Sequence, residues 1–188
     1  HISLGEIACA EPLSIGLHAI HRAGSVLGET VLVTGGGTIG CMSVMAARLA
    51  GAAHVICCDI NDRALDIART VGADRTIRND QLPAGEWADI ADVAIEAAGS
   101  PAALGTCLTA TRRGGRIVQV GTLPPEIPFP ANSLMARELD YRGAFRAQQK
   151  HMNMGGRMHG GCLMTFADIA LFQIAYQEME GSKGVTVQ

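Results

Sequence analysis

Val31-Leu32-Val33-Thr34-Gly35-Gly36-Gly37-Thr38-Ile39-Gly40 is the stretch that decides how this chain folds. A β-branched apolar run ends in a glycine loop, and a helix-forming segment from Cys41 to Ala50 follows without interruption. Gly35, Gly37 and Gly40 stand in G-x-G-x-x-G spacing. That spacing supplies a tight turn after a strand, bare backbone for a pyrophosphate to approach, and close packing of helix on strand. Thr38 and Ile39 open the helix, whose free N–H groups then point at the phosphates. Three glycines in six residues also occur in structural loops and in methyltransferases, so the pattern needs its neighbours.

Those neighbours are in order. A second apolar run, His54-Val55-Ile56-Cys57-Cys58, ends in Asp59, about twenty residues past the last glycine. A carboxylate at the tip of a second parallel strand is placed to accept hydrogen bonds from an adenosine ribose. Strand, glycine loop, helix, strand and acid together predict dinucleotide binding. Asp59 also reads as an N-cap for a helix over Arg63 to Val71, and one residue can serve both ends. Ile60-Asn61-Asp62 follow it with no adjacent base to receive a 2′-phosphate, so NAD is expected in preference to NADP. Arg63 is the nearest cation able to soften that preference.

The chain has 188 residues, 48% apolar and 18% charged with 4% aromatic, which suits a soluble α/β domain with ample core. A net charge of -3 gives no electrostatic reason to expect nucleic acid or an anionic membrane. Small molecules and other protein are the expected partners. Cys9, Cys41, Cys57, Cys58, Cys107 and Cys162 contain no C-x-x-C pair and read as small core residues of a reducing cytoplasm. No secretory leader pattern opens the sequence. The most apolar long segment, Cys162 to Tyr176, contains Asp168 and is shorter than the roughly 20 residues that span a bilayer.

Taken in order, His1 to Ala23 reads as one helix with Pro12 in its first turn. Glu11 beside it favours a helix N-terminus electrostatically. The opening has a mid-domain character, so the chain is expected to belong to something longer. Apolar runs then alternate with helical segments: strands at Val31 to Thr34, His54 to Asp59, Asp74 to Ile77, Asp92 to Ala97, Arg116 to Val120 and Leu139 to Phe145. Helices fall near Thr38 to Ala50, Asp62 to Val71, Pro101 to Thr111 and Asn132 to Arg137. Gly72 and the Gly114-Gly115 pair read as left-handed helix caps. Such alternation predicts an α/β, doubly wound, six-stranded parallel sheet with right-handed crossovers. Ligands bind such sheets beyond the carboxyl ends of the strands. Gly99 and Gly121, at two of those ends, read either as cofactor rim or as turn glycines.

Glu11-Pro12-Leu13, Val31 to Gly40, Ile95-Glu96-Ala97-Ala98-Gly99, Gly115 to Gly121 and Gly143-Ala144-Phe145-Arg146 resemble the cofactor half of zinc-dependent medium-chain polyol dehydrogenases, the sorbitol and L-idonate 5-dehydrogenase group. The resemblance covers about residues 1–146. It implies NAD-linked oxidation of a secondary alcohol on a polyol or sugar acid, with Phe145 and Arg146 among the cofactor-binding positions. The Glu of the Glu-Pro-Leu motif belongs to that family's catalytic zinc site, which makes Glu11 a candidate metal ligand and catalytic residue. The family's first domain, with its zinc-binding Cys and His-Glu pair, has no counterpart before His1. One carboxylate cannot make a three-ligand catalytic site, so zinc is expected only in the complete enzyme, and a homo-oligomer is the expected assembly.

After Arg146 the character changes. Five of the eight methionines lie there, and glycines at Gly155, Gly156, Gly160 and Gly161 precede a helical segment apolar nearly all round. This tail resembles the start of a hotdog-fold acyl-CoA thioesterase of the phenylacetate-degradation type. Asn153, His159, Gly160, Gly161 and Asp168 carry the match, which implies an acyl-CoA ligand, amides at the His-Gly-Gly turn polarising a thioester, and Asp168 as the acid. The expected domains are therefore residues 1–24 as a leading helix, 25–146 as the dinucleotide-binding domain and 147–188 as a partial hotdog-like segment. A chimera is the expected account of that junction, which falls at the end of a Rossmann strand, with a natural fusion and a misjoined chain as the alternatives. The main reading is the cofactor portion of a polyol or sugar-acid dehydrogenase. Alternatives are a thioesterase fragment and a non-catalytic nucleotide-binding module.

Overall fold

The computed structural model describes residues 3–80 and 87–144. They fall into two compact units, residues 3–14 and residues 15–144. The first unit contains α1 (Leu4–Ala8) and the opening of α2 (Ala10–Ala23). A capping box starts α1: Ser3 Oγ accepts the Glu6 N–H at 3.2 Å while the Glu6 carboxylate accepts the Ser3 N–H at 2.7 Å. The single helix expected from His1 to Ala23 is thus two. A continuous helix would place Pro12 inside it, where the ring lacks a donor and collides with the carbonyl four residues back. Breaking at Cys9 leaves Pro12 in the first turn of α2, where no N–H is missed.

The second unit is built on a six-stranded sheet, β1 (Thr30–Thr34), β2 (His54–Asp59), β3 (Arg75–Arg78), β4 (Ala91–Glu96), β5 (Thr111–Gln119) and β6 (Asp140–Gly143). The helices between them are α3 (Thr38–Leu49), α4 (Asp62–Thr70), α5 (Pro101–Ala110) and α6 (Ala131–Arg137). All neighbouring strands are parallel in the order β3-β2-β1-β4-β5-β6, the doubly wound arrangement expected. The order reverses between β1 and β4, which opens a crevice at their carboxyl ends.

Side chains alternate across β1. Val31 and Val33 join Val44 and Ala47 of α3 on one face, and Leu32 joins Leu104 and Leu108 of α5 on the other. Because helices cover both faces, the inner strands β1, β2 and β4 read as largely apolar runs. The rest of α2 lies close on α3. A methyl group on Gly16 would sit 2.6 Å from the Met42 carbonyl carbon, so only glycine allows that approach.

Gly72, at φ +119, follows the C-cap of α4 as the sequence predicts. Gly114-Gly115 do not cap α5. That helix ends at Ala110, Thr111 is already extended, and β5 begins there. The β4–β5 pairing jumps from Ala91↔Thr111 to Val93↔Arg116, and Gly114, at φ +71, takes up the extra residues of this bulge. The end of α5 is closed instead by Arg137, whose guanidinium donates to the Leu108 and Thr111 carbonyls. No helix among the described residues is long and apolar enough to cross a membrane.

Candidate functional site

The three spaced glycines do three separate jobs. Gly35 turns the chain off β1 at φ +93, with its N–H on the Cys58 carbonyl at 2.8 Å, and a methyl there would lie 2.7 Å from the Ala98 nitrogen. A methyl on Gly40 would fall 1.7 Å from the Gly35 carbonyl oxygen, so α3 packs on the loop with no room for a side chain. Gly37 is different. It is exposed, and a methyl there would meet no atom within 4 Å. It caps α3 without a side-chain hydrogen bond, leaving the first-turn amides at Thr38 and Ile39 free for an outside acceptor.

Asp59 reaches back to this loop. One carboxylate oxygen accepts the Gly36 N–H at 2.6 Å and the other accepts the Asn61 N–H at 2.8 Å. An ionised carboxylate has about four acceptor positions, so the tip of β2 retains capacity for ribose hydroxyls. The alternative reading of Asp59 as the cap of α4 is corrected. Asn61 is the N-cap, accepting the Arg63 and Ala64 N–H groups at 2.9 and 3.4 Å, because an Asx side chain caps the residues two and three beyond it.

Between the first turns of α3 and α4 lies a cavity of about 390 Å³, lined by Gly36, Gly37, Thr38, Asn61, Arg63 and the apolar side of Met42 and Ile67. Arg63 thus stands on the same hollow as the glycine loop. At the opposite side of the crevice Gly99 has φ +68, and a methyl on Gly121 would lie 2.3 Å from the Gly99 nitrogen. The two rim glycines are pressed together, which makes them packing glycines of the strand ends whatever else they contact.

Glu96 ends β4 fully buried. Its Oε1 accepts the Ala98 and Gly99 N–H groups at 3.1 and 2.7 Å, and its Oε2 accepts Gln119 Nε2 at 2.7 Å. Tyr141 donates to Gln119 Oε1 at 2.9 Å, extending the chain of hydrogen bonds from β4 through β5 to β6. Burial raises the Glu96 carboxyl above the ordinary value, against the pull of its Gly99, Ser100, Gln119 and Ala98 donors. Gln119 and Tyr141 were not singled out from the sequence. Nothing in a linear pattern shows that residues 23 and 22 positions apart will share one proton network.

The buried cysteines are inert. Burial pushes the Cys57 and Cys107 thiols up to about 12 and raises Cys41 and Cys58 as well. Among the described residues no three His, Cys, Asp or Glu side chains gather as a metal site. A catalytic zinc takes three protein ligands, so a zinc role for Glu11 would need ligands from outside the described residues. Phe145, Arg146, Asn153, His159, Gly160, Gly161 and Asp168, together with the hotdog-like segment, lie outside the described residues.

A parallel sheet in this order, with an open glycine loop at the strand reversal and an acid at the tip of β2, defines a dinucleotide-binding Rossmann domain. The chain belongs to the zinc-binding dehydrogenase family, whose sequence pattern matches residues 38–156. It is 37% identical over 143 residues to L-idonate 5-dehydrogenase (NAD(P)(+)) of Escherichia coli K12, an overlap of 74% of this chain and 42% of that protein. It is also 37% identical to the sorbitol dehydrogenase of Gallus gallus, over 77% of this chain and 43% of the relative. The crystal structure of the Escherichia coli L-idonate 5-dehydrogenase superposes with a TM-score of 0.71 at 37% identity, covering 77% of this chain and 42% of that one. A Sinorhizobium meliloti structure described as a zinc-binding dehydrogenase, bound to NADP, gives 0.69 at 28% identity over 87% and 47% of the two chains. This chain therefore spans less than half the length of the curated relatives it matches.

Proposed function

We propose that this chain is the NAD-binding portion of an oxidoreductase that oxidises a secondary alcohol of a polyol or sugar acid. The observation that carries the reading is Gly37, the one glycine of the three whose Cβ direction opens into empty space beside uncapped α3 amides. A cradle of that shape fits a pyrophosphate, and Asp59 fits the ribose beyond it. The bound nicotinamide supplies the hydride acceptor for the carbinol carbon. The chain's own residues bind and orient: α3 amides hold negative charge, Asp59 accepts ribose hydroxyls, and the Gly99 and Gly121 turns shape the far side of the crevice.

The polyol or sugar-acid substrate rests on the printed names of the relatives and on the motifs the chain shares with that group. Asp59 supports NAD over NADP, because its carboxylate would face a 2′-phosphate at the loop. Zinc assistance and a homo-oligomer belong to this reading of the complete enzyme. Its test is NADH formation by the complete protein with a panel of polyols, sugar acids and simple primary alcohols. Turnover on the secondary alcohols supports the proposal, and turnover confined to primary alcohols overturns it.

A further inference from the structure

We infer that Glu96 is a positioning residue for the nucleotide loop, acting through the Ala98-Gly99 turn on which Gly35 is seated. The inference rests on the dinucleotide reading above. Three contacts compose it. The buried Glu96 carboxylate accepts the Ala98 and Gly99 N–H groups, so it fixes the turn that ends β4. Ala98 is the surface against which Gly35 lies, since a methyl on Gly35 would come within 2.7 Å of the Ala98 nitrogen and 2.9 Å of its Cβ. The Ala97 N–H meets the Thr34 carbonyl at 2.9 Å, tying the same turn to the last residue of β1. A shift of the Glu96 turn therefore shifts the start of the glycine loop.

The orientation of the carboxylate is set from the other side. Gln119 directs its amide nitrogen at both Glu96 Oε2 and the Gly121 carbonyl, and Tyr141 donates to its amide oxygen, so the Gln119 amide cannot turn over without losing partners. The Ala98 and Gly99 N–H groups and Gln119 Nε2 aim at two oxygens that only a carboxylate offers together as pure acceptors. A protonated or amidated side chain at 96 sets a donor against another donor, either the Gly99 N–H or Gln119 Nε2. An unmade hydrogen bond in a buried network is costly, and the Gly99 turn is the part free to move. Cys107 of α5 and Tyr141 of β6 are the other titratable groups facing Glu96, and burial raises both, so neither ionises in mildly acid to neutral solution.

The test measures NAD(H) affinity and nucleotide-free unfolding midpoint on the full chain, for the parent, Glu96→Gln and Tyr141→Phe, from about pH 5 to about pH 8, above the ordinary carboxylate range. We expect parent affinity to fall toward the acid end, Glu96→Gln to be roughly tenfold weaker at neutral pH with a flat profile, and Tyr141→Phe to be about twofold to threefold weaker. A role confined to stability would lower the midpoint and leave the pH profile unchanged. Equal affinity and the same pH profile in parent and Glu96→Gln overturn the inference alone. If Glu96→Gln does not fold, unaltered binding by Tyr141→Phe overturns it and weakened binding supports it. A parent that binds neither NAD(H) nor NADP(H) overturns the dinucleotide reading and this inference with it.

Discussion

Asp59 accepts the Gly36 N–H at 2.6 Å, so the acid at the tip of β2 is bonded to the glycine loop at the tip of β1. On the proposed reading that carboxylate is the acceptor for the ribose beside the pyrophosphate. A 2′-phosphate there meets a like charge, which at a binding surface costs several kcal/mol.

From this follows a preference for NAD(H) over NADP(H) of roughly a hundredfold, at about 1.4 kcal/mol per decade. Asp59→Ser is expected to narrow the gap and weaken NAD(H), because it removes both the repulsion and the ribose acceptor. Parallel titrations of the two cofactors check it. Equal affinities in the parent would remove the role assigned to Asp59, with Arg63 on the neighbouring cavity the group able to compensate.

Gly37 and Gly40 separate binding from stability. Gly40→Ala places a methyl 1.7 Å from the Gly35 carbonyl oxygen, and overpacking of backbone against backbone is expected to cost about 3 kcal/mol in denaturant unfolding. Gly37→Ala meets no atom within 4 Å and should cost no more than about 1 kcal/mol, the difference between Gly and Ala at a helix N-cap. Similar losses in both variants would contradict the division of labour.

Asn61→Ala removes the only side-chain cap of α4 and is expected to lower stability by about 1 kcal/mol. Asp59→Ala, which leaves Asn61 in place, should leave the start of α4 intact. Amide exchange at Arg63 and Ala64 separates the two, since those N–H groups bond to Asn61 and not to Asp59.

The middle of the sheet was legible because β1, β2 and β4 are buried on both faces and so read as apolar runs, as Val31 to Val33 and Val55 to Cys58 do. The glycine loop was legible because its spacing follows from three local needs. What escaped was decided at a distance. Gly114 offers a left-handed residue equally to a helix cap and to a bulge, and only the pairing of Thr111 with Ala91 shows which is used. Asn61 took the cap read for Asp59 because α4 begins at Asp62, which puts the Arg63 and Ala64 N–H groups two and three residues beyond Asn61. Glu96 stood in a recognisable motif, yet its burial and its partnership with Gln119 and Tyr141 exist only once three strands are aligned.

Thiol labelling reports on the same packing. Of the five described cysteines only Cys9 is exposed, and burial raises the pKa of Cys41, Cys57, Cys58 and Cys107. Iodoacetamide at neutral pH should therefore modify Cys9 first and the other four only on unfolding. Mass mapping of the labelled peptides checks it, and early modification of Cys57 or Cys107 would contradict the buried placement.

Calorimetric titration of NAD(H) into the full chain and into Gly37→Val tests the central claim most directly. The account predicts saturable binding by the parent and none by the variant, with a nucleotide-free unfolding midpoint lowered by no more than a poor N-cap costs, about 1 kcal/mol, because the valine Cβ meets no atom within 4 Å and projects into the space proposed for the pyrophosphate. Binding of equal strength in both chains would contradict the dinucleotide assignment.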